Sequence, residues 1–187
     1  MTGIPARMVT PADTDRLRFT VWDDRDWIPF STLATDPQVM RYISEGVWPE
    51  DRIREFVTRQ IAGYREGGYC LWKLVEKATD SLVGICGLQP LPETQEVEIG
   101  WWLRPAFWGQ GLATAAAQRA LAYGFEVSKL ERIVAIAQPA NRASIRVMEK
   151  IGMRYEREMV HRGFRVVLHV ITLAEFQSQQ LEGHARV

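Results

Sequence analysis

Cysteine is scarce in this 187-residue sequence: there are two, Cys70 and Cys86, with no Cys-x-x-Cys spacing and no nearby His. A disulfide framework, a zinc ribbon and a dithiol redox centre therefore have no support, no metal is expected, and both thiols read as small buried side chains. Net charge is missing as well. Lys plus Arg and Asp plus Glu each number 23, without a block of like charge, which argues against a nucleic-acid partner held through a basic footprint and permits self-association as a homodimer. No apolar run is long enough to cross a bilayer, and the first residues, MTGIPARMVTPADTDR, contain no apolar h-region. The expected compartment is the cytoplasm, without a membrane partner. Repeats, low-complexity tracts and Pro/Gly/Ser linkers are also lacking, so a single domain is expected over residues 1–187, with a core from about 14 to 176 and a polar, frayed tail.

What is present is ordinary globular material, 47% hydrophobic and 25% charged, enough for a real core. Leu17, Phe19 and Val21 alternate with Arg16, Arg18 and Thr20, which predicts a half-buried first strand over 16–22. Residues 26–44 carry helical spacing broken at Asp36-Pro37, which predicts two short helices, the second capped by Asp36. A longer helix follows Pro49 and stops at Gly67-Gly68. Strand-like runs at 69–76, 82–88 and 96–103, joined by polar turns, predict an antiparallel meander. An Ala- and Leu-rich helix over 109–127 then leads to a strand at 132–137, which implies a parallel crossover. A short helix at 143–151 and two strands turning at Arg162-Gly163 complete the order.

The chemistry-bearing segment is Leu103-Arg104-Pro105-Ala106-Phe107-Trp108-Gly109-Gln110-Gly111-Leu112-Ala113-Thr114, a strand running through a glycine-bearing loop into a helix. Backbone N–H groups converging at a helix N-terminus can hold a pyrophosphate without any basic side chain. Two glycines before a helix also make a plain turn. No Gly-Lys-Ser/Thr follows, so this is not a Walker loop, and without a third glycine it is not a dinucleotide fingerprint.

With this loop, the sequence resembles the GNAT superfamily of acetyl-CoA-dependent N-acetyltransferases, and within it the RimJ/RimL type that acts on ribosomal-protein N-termini. The match runs through Thr14-Asp15-Arg16-Leu17, Asp36-Pro37-Gln38-Val39-Met40-Arg41-Tyr42, Glu98-Ile99-Gly100-Trp101-Trp102-Leu103, the loop itself with Trp108 where the family has Arg or Gln, and Asn141-Arg142-Ala143-Ser144-Ile145-Arg146-Val147-Met148-Glu149-Lys150-Ile151-Gly152-Met153. It implies the GNAT fold, an α/β domain with a mixed, mostly antiparallel sheet splayed at its centre and helices on both faces.

The resemblance also implies roles. Acetyl-CoA would lie along Trp101, Trp102 and Leu103, with the Leu103 N–H as oxyanion donor and Gly100 as a bulge that opens the gap. Trp108, Gly109, Gln110, Gly111, Leu112, Ala113 and Thr114 would hold the pyrophosphate, Gln110 and Thr114 with side chains. Asn141 would bind pantetheine, cap the next helix, or both. Glu98 is the candidate general base, its alternative a solvated strand carboxylate, which is also the reading of Glu96. The tyrosine that many members use as general acid is absent, Met148 standing in its place. Ser144 would then serve as the acid and contact the cofactor, unless it is only an N-terminal helix hydroxyl.

Among seven tryptophans, Trp22, Trp27 and Trp48 fall where the family builds its acceptor pocket, and Tyr42 and Trp48 are the substrate-binding candidates. His161 and His169 read as structural, and Arg52, Arg54, Arg59 and Arg65 as a solvated helix face. The activity expected from the resemblance is direct acetyl transfer to a primary amine, a protein N-terminus first. A small amine such as an amino acid, polyamine or antibiotic is the alternative, as is a non-catalytic acetyl-CoA sensor.

Overall fold

The computed structural model describes residues 9–184; the expectation about a leader segment falls largely outside them. Thirteen regular elements follow one another: β1 (Leu17–Thr20), α1 (Trp27–Ala34), α2 (Pro37–Met40), α3 (Glu50–Gly67), β2 (Leu71–Glu76), β3 (Leu82–Leu91), β4 (Glu96–Leu103), α4 (Leu112–Glu126), β5 (Arg132–Ala137), α5 (Arg142–Lys150), β6 (Arg154–His161), β7 (Phe164–Thr172) and α6 (Leu173–His184). Strand alternation and helix stops act where the residue types place them. Asp36 accepts a hydrogen bond from the Gln38 N–H at the start of α2, and Gly68 closes α3 in the left-handed conformation, φ 76°. The polar tail after Phe176 is helical, not frayed: Phe176 is buried and meets Phe125 at 4.9 Å, which anchors α6.

The strands form one seven-stranded sheet in the order β1-β2-β3-β4-β5-β7-β6. Every neighbour is antiparallel except β4 and β5, whose parallel pairing rests on a single bridge, Glu98 with Val134. On either side of that seam the ladders run full length, β4 on β3 from Glu96 to Leu103 and β5 on β7 from Arg132 to Ala137. The sheet is therefore two continuous halves that touch at one point and part beyond it.

Packing holds the halves apart. Trp102 projects from β4 onto α1 and α3, stacking on Phe56 and Phe30 at centroid distances of 5.5 and 6.2 Å, with Trp22 and Trp48 closing the cluster edge-on. The opposite face receives α4, whose Ala116, Ala117, Ala120 and Gly124 let it lie close; a Cβ on Gly124 would stand 2.7 Å from Ile133 Cδ1. Gly100 is not a bulge, because β3 and β4 stay in register across Gly87 and Gly100. At the closed end of the seam Arg132 ties Glu96 of β4 to Glu156 of β6, at 2.5 and 2.7 Å. Glu96 is thus a structural ion-pair partner. The arginines of α3 form the solvated face expected, Arg54, Arg59 and Arg65 being exposed, and two of them also cover rings, Arg54 over Trp27 at 3.6 Å and Arg52 over Trp48 at 4.5 Å.

Gly84 marks a close approach in this half-sheet: a Cβ there would stand 2.1 Å from the Trp102 carbonyl oxygen. Gly84→Ala is expected to cost roughly 1–3 kcal/mol by forcing backbone apart, seen as a fall in Tm by calorimetry. An unchanged Tm would mean that the β3–β4 ladder is not the rigid wall described.

Candidate active site

The seam opens toward the carboxyl ends of β4 and β5, and the gap is a cleft of about 580 Å³. Its β4 wall can be read amide by amide. Arg104 N–H donates to the Val83 carbonyl at 2.9 Å, so this opposed pair is hydrogen-bonded and the next pair, Leu103 with Gly84, is not. The N–H groups of Leu103 and Trp101 therefore point away from β3, into the gap, where β5 is no longer there to accept them. The Leu103 carbonyl on the same side is taken by the Trp108 indole N–H at 2.7 Å. This gives the tryptophan in place of Arg or Gln a local function, holding the loop against the end of the strand.

Beyond Trp108 the loop turns through Gly109 and Gly111, both left-handed at φ 73° and 76°, and Gly111 is the N-cap of α4. No side chain caps the helix, so first-turn N–H groups at Leu112, Ala113 and Thr114 are left for a ligand. The Gln110 side chain is committed elsewhere, donating to the Ala106 carbonyl and accepting from Arg16, and it borders a separate cavity, so the cofactor contact expected of this side chain is corrected. Across the cleft, Asn141 Oδ1 caps α5 by accepting from Ser144 N–H at 3.2 Å, which leaves the amide nitrogen to donate. Ser144 lines the cleft, and its Oγ makes no hydrogen bond among the described residues. Met148 is buried in the core. Arg146 and Lys150, one turn apart on α5, add positive charge to the cleft, and Lys150 also borders the cavity beside Gly111 and Leu112.

Glu98 sits at the vertex where the strands part. It lies four residues before Trp102 and on the same face of β4, and it is not a solvated carboxylate: only 8% of it is exposed. Burial pushes its pKa up to about 7, against the Gln89 amide that donates to it at 3.2 Å and the positive charge of Arg162. His161, unassigned to the site from sequence, also lines the cleft, with Nδ1 2.9 Å from Glu93 Oε1; burial draws its pKa down while Glu93 opposes. Tyr42 lines the same end, and its carbonyl accepts from the Gln138 side chain at 3.2 Å, tying the segment after α2 to the end of β5. Trp48 is not brought to the cleft: it is 4% exposed inside the aromatic cluster, so its substrate-binding role is withdrawn. His169 is buried on β7 against the Tyr155 ring, consistent with a structural part. Burial raises both cysteine thiols well above their ordinary value.

Because the folded-state pKa of Glu98 is raised, its neutral form stabilises the fold; that stability is complete below the unfolded value near 4.5 and is lost as pH rises through about 7. Glu98→Gln removes the ionisation. Thermal unfolding is expected to show the variant gaining on the native chain between acid and mildly alkaline pH, by up to about 3 kcal/mol. Parallel curves would show that Glu98 ionises freely.

An Acetyltransferase (GNAT) domain family model matches residues 16–154. The putative ribosomal N-acetyltransferase YdaF of Bacillus subtilis (strain 168) is 36% identical over 160 residues, covering 82% of this chain and 79% of that protein. Spermidine N(1)-acetyltransferase of Escherichia coli (strain K12) is 34% identical over 160 residues, covering 81% of each. Among solved structures, a GNAT-family acetyltransferase from Bacillus anthracis superposes with a TM-score of 0.76 at 32% identity, covering 88% of this chain and 99% of that one.

Proposed function

The chain belongs to the GNAT acetyltransferase family, and on that premise we propose that it moves acetyl from acetyl-CoA directly to the α-amino group of a polypeptide N-terminus, in a ternary complex without an acyl-enzyme. The observation that carries this reading is the pair of N–H groups of Trp101 and Leu103 turned into the gap, between the uncapped start of α4 and the buried carboxyl of Glu98.

Acetyl-CoA suits this donor set. Its pyrophosphate matches the first-turn amides of α4 that follow the left-handed glycines, its amide-bearing arm matches a strand edge lacking a partner, and Arg146 and Lys150 match its negative charge. The amine nitrogen attacks the thioester carbon, the C–N bond forms, and the Leu103 N–H receives the oxyanion. Glu98 accepts the proton released by the amine, directly or through one water. An α-amino group titrates near 8, so a base with a pKa near 7 is well matched to it. When the C–S bond breaks, Ser144 Oγ donates a proton to the departing sulfur and recovers one from solvent.

The likeness to YdaF supports a protein N-terminus as acceptor, and the likeness to the spermidine enzyme supports a small polyamine. The discriminating experiment measures thiol release from acetyl-CoA with N-terminal peptides and small amines, beside Glu98→Gln, Ser144→Ala and Gly111→Val. Turnover on peptides is expected, abolished in Gly111→Val because valine cannot hold φ 76°. In Glu98→Gln it should fall by about 10²-fold, with loss of the acid limb near pH 7. Acetyl-CoA binding without transfer to any amine would instead make the protein a sensor.

A further inference from the structure

We propose that the acceptor carries an anionic group, a carboxylate, close to its reacting amine, and that Arg41 and Arg162 receive it; this rests on the acetyl-transfer reading and specifies its substrate. The charged side chains lining the cleft are Arg41, Glu98, Arg146, Lys150 and Arg162. Two of the four cations, Arg146 and Lys150, share one face of α5 beside the phosphate loop and have the phosphates of acetyl-CoA to answer. Of the other two, Arg162 acts on Glu98, and Arg41 lines the cleft beside Tyr42, away from α5 in the chain. Arg162 is the tip of the β6–β7 turn, held left-handed at φ 49°, and its charge acts on both Glu98 and His161. Arg41 follows α2 and lies against the Tyr42 ring at 5.2 Å.

Neither Arg41 nor Arg162 forms an ion pair with a carboxylate among the described residues, a state they share with other arginines, Arg146 of the same cleft included. The carboxylates nearby are engaged: Glu98 is buried with Gln89, and Glu93 lies against His161. The acceptor end therefore presents two guanidinium groups, and guanidinium forks match carboxylates. A polyamine would bring its remaining cations against them, a cost rather than a gain. An α-amino acid, or a peptide whose second and third residues are acidic, satisfies both the base and the arginines.

The test pairs a tetrapeptide bearing Asp at its second and third positions with its Asn counterpart, and with spermidine, in the thiol-release assay. The Asp peptide is expected to show about tenfold higher kcat/KM, and that preference should collapse in the R41Q/R162N double variant. R162N is chosen because Asn tolerates the left-handed turn, and R41K/R162K should restore the preference. Equal use of the Asn peptide or spermidine, or a preference that survives R41Q/R162N, overturns the proposal. Calorimetric binding of both peptides to the CoA-loaded protein separates this inference from the catalytic one. If no amine releases thiol, acetyl transfer fails, yet tighter binding of the Asp peptide, lost in R41Q/R162N, upholds the anion site; equal binding overturns it.

Discussion

A sheet that abandons one of its ladders leaves backbone N–H and C=O groups that must be satisfied by something else, and the β4–β5 seam is that constraint in this fold. Everything chemical in the cleft follows from it. Trp101 and Leu103 direct donors into the gap because their strand is bonded to β3 in one phase only, and Leu103 offers its donor without a competing acceptor because Trp108 has taken its carbonyl. The donor proposed to act on the reacting carbonyl is thus a consequence of strand register, not of any side chain.

The divergence is enforced from both sides. Stacking of Trp102 into the Phe30 and Phe56 rings fixes β4 to the α1–α3 layer, while β5 follows β7 along its whole length. Arg132, between Glu96 and Glu156, keeps the closed end from opening too. A seam free at both ends would be a hinge; clamped at one end and wedged at the other, it is a cleft of fixed angle, with Glu98 at the vertex. That position accounts for the state of the carboxyl: strand neighbours remove water from it, and one amide with the charge of Arg162 returns only part of the lost solvation.

Element order and most strand limits were legible from alternation, caps and glycine stops, because those signals are local: β4 and β5 coincide with the runs at 96–103 and 132–137. The glycine-bearing turn into α4 was legible for the same reason. Three things were not. The tail after Phe176 reads as polar, and only the tertiary contact with Phe125 makes it a helix. Trp48 reads as a pocket residue, but ring packing from three elements, α1, α3 and β4, decides its burial. Gln89 and Arg162 act on Glu98 through the β3–β4 register and the β6–β7 turn, pairings between distant segments that carry no signature in either segment alone.

This division between backbone and side chain bears on how such a site changes its substrate. The proposed thioester-facing parts, strand-edge amides and an uncapped helix start, are made by the fold itself and survive nearly any side-chain replacement short of filling the glycines. The acceptor-facing parts hang from the segment after α2 and from a two-residue turn, Arg162-Gly163, whose side chains meet the cleft without holding the core. A change at Arg41 or Arg162 alters the charge met by the incoming amine and leaves the β4–β5 gap as it is. Glu98 couples the two: it belongs to the rigid strand, yet its proton affinity responds to Arg162, so a substitution that alters acceptor charge also moves the pH at which the base is available.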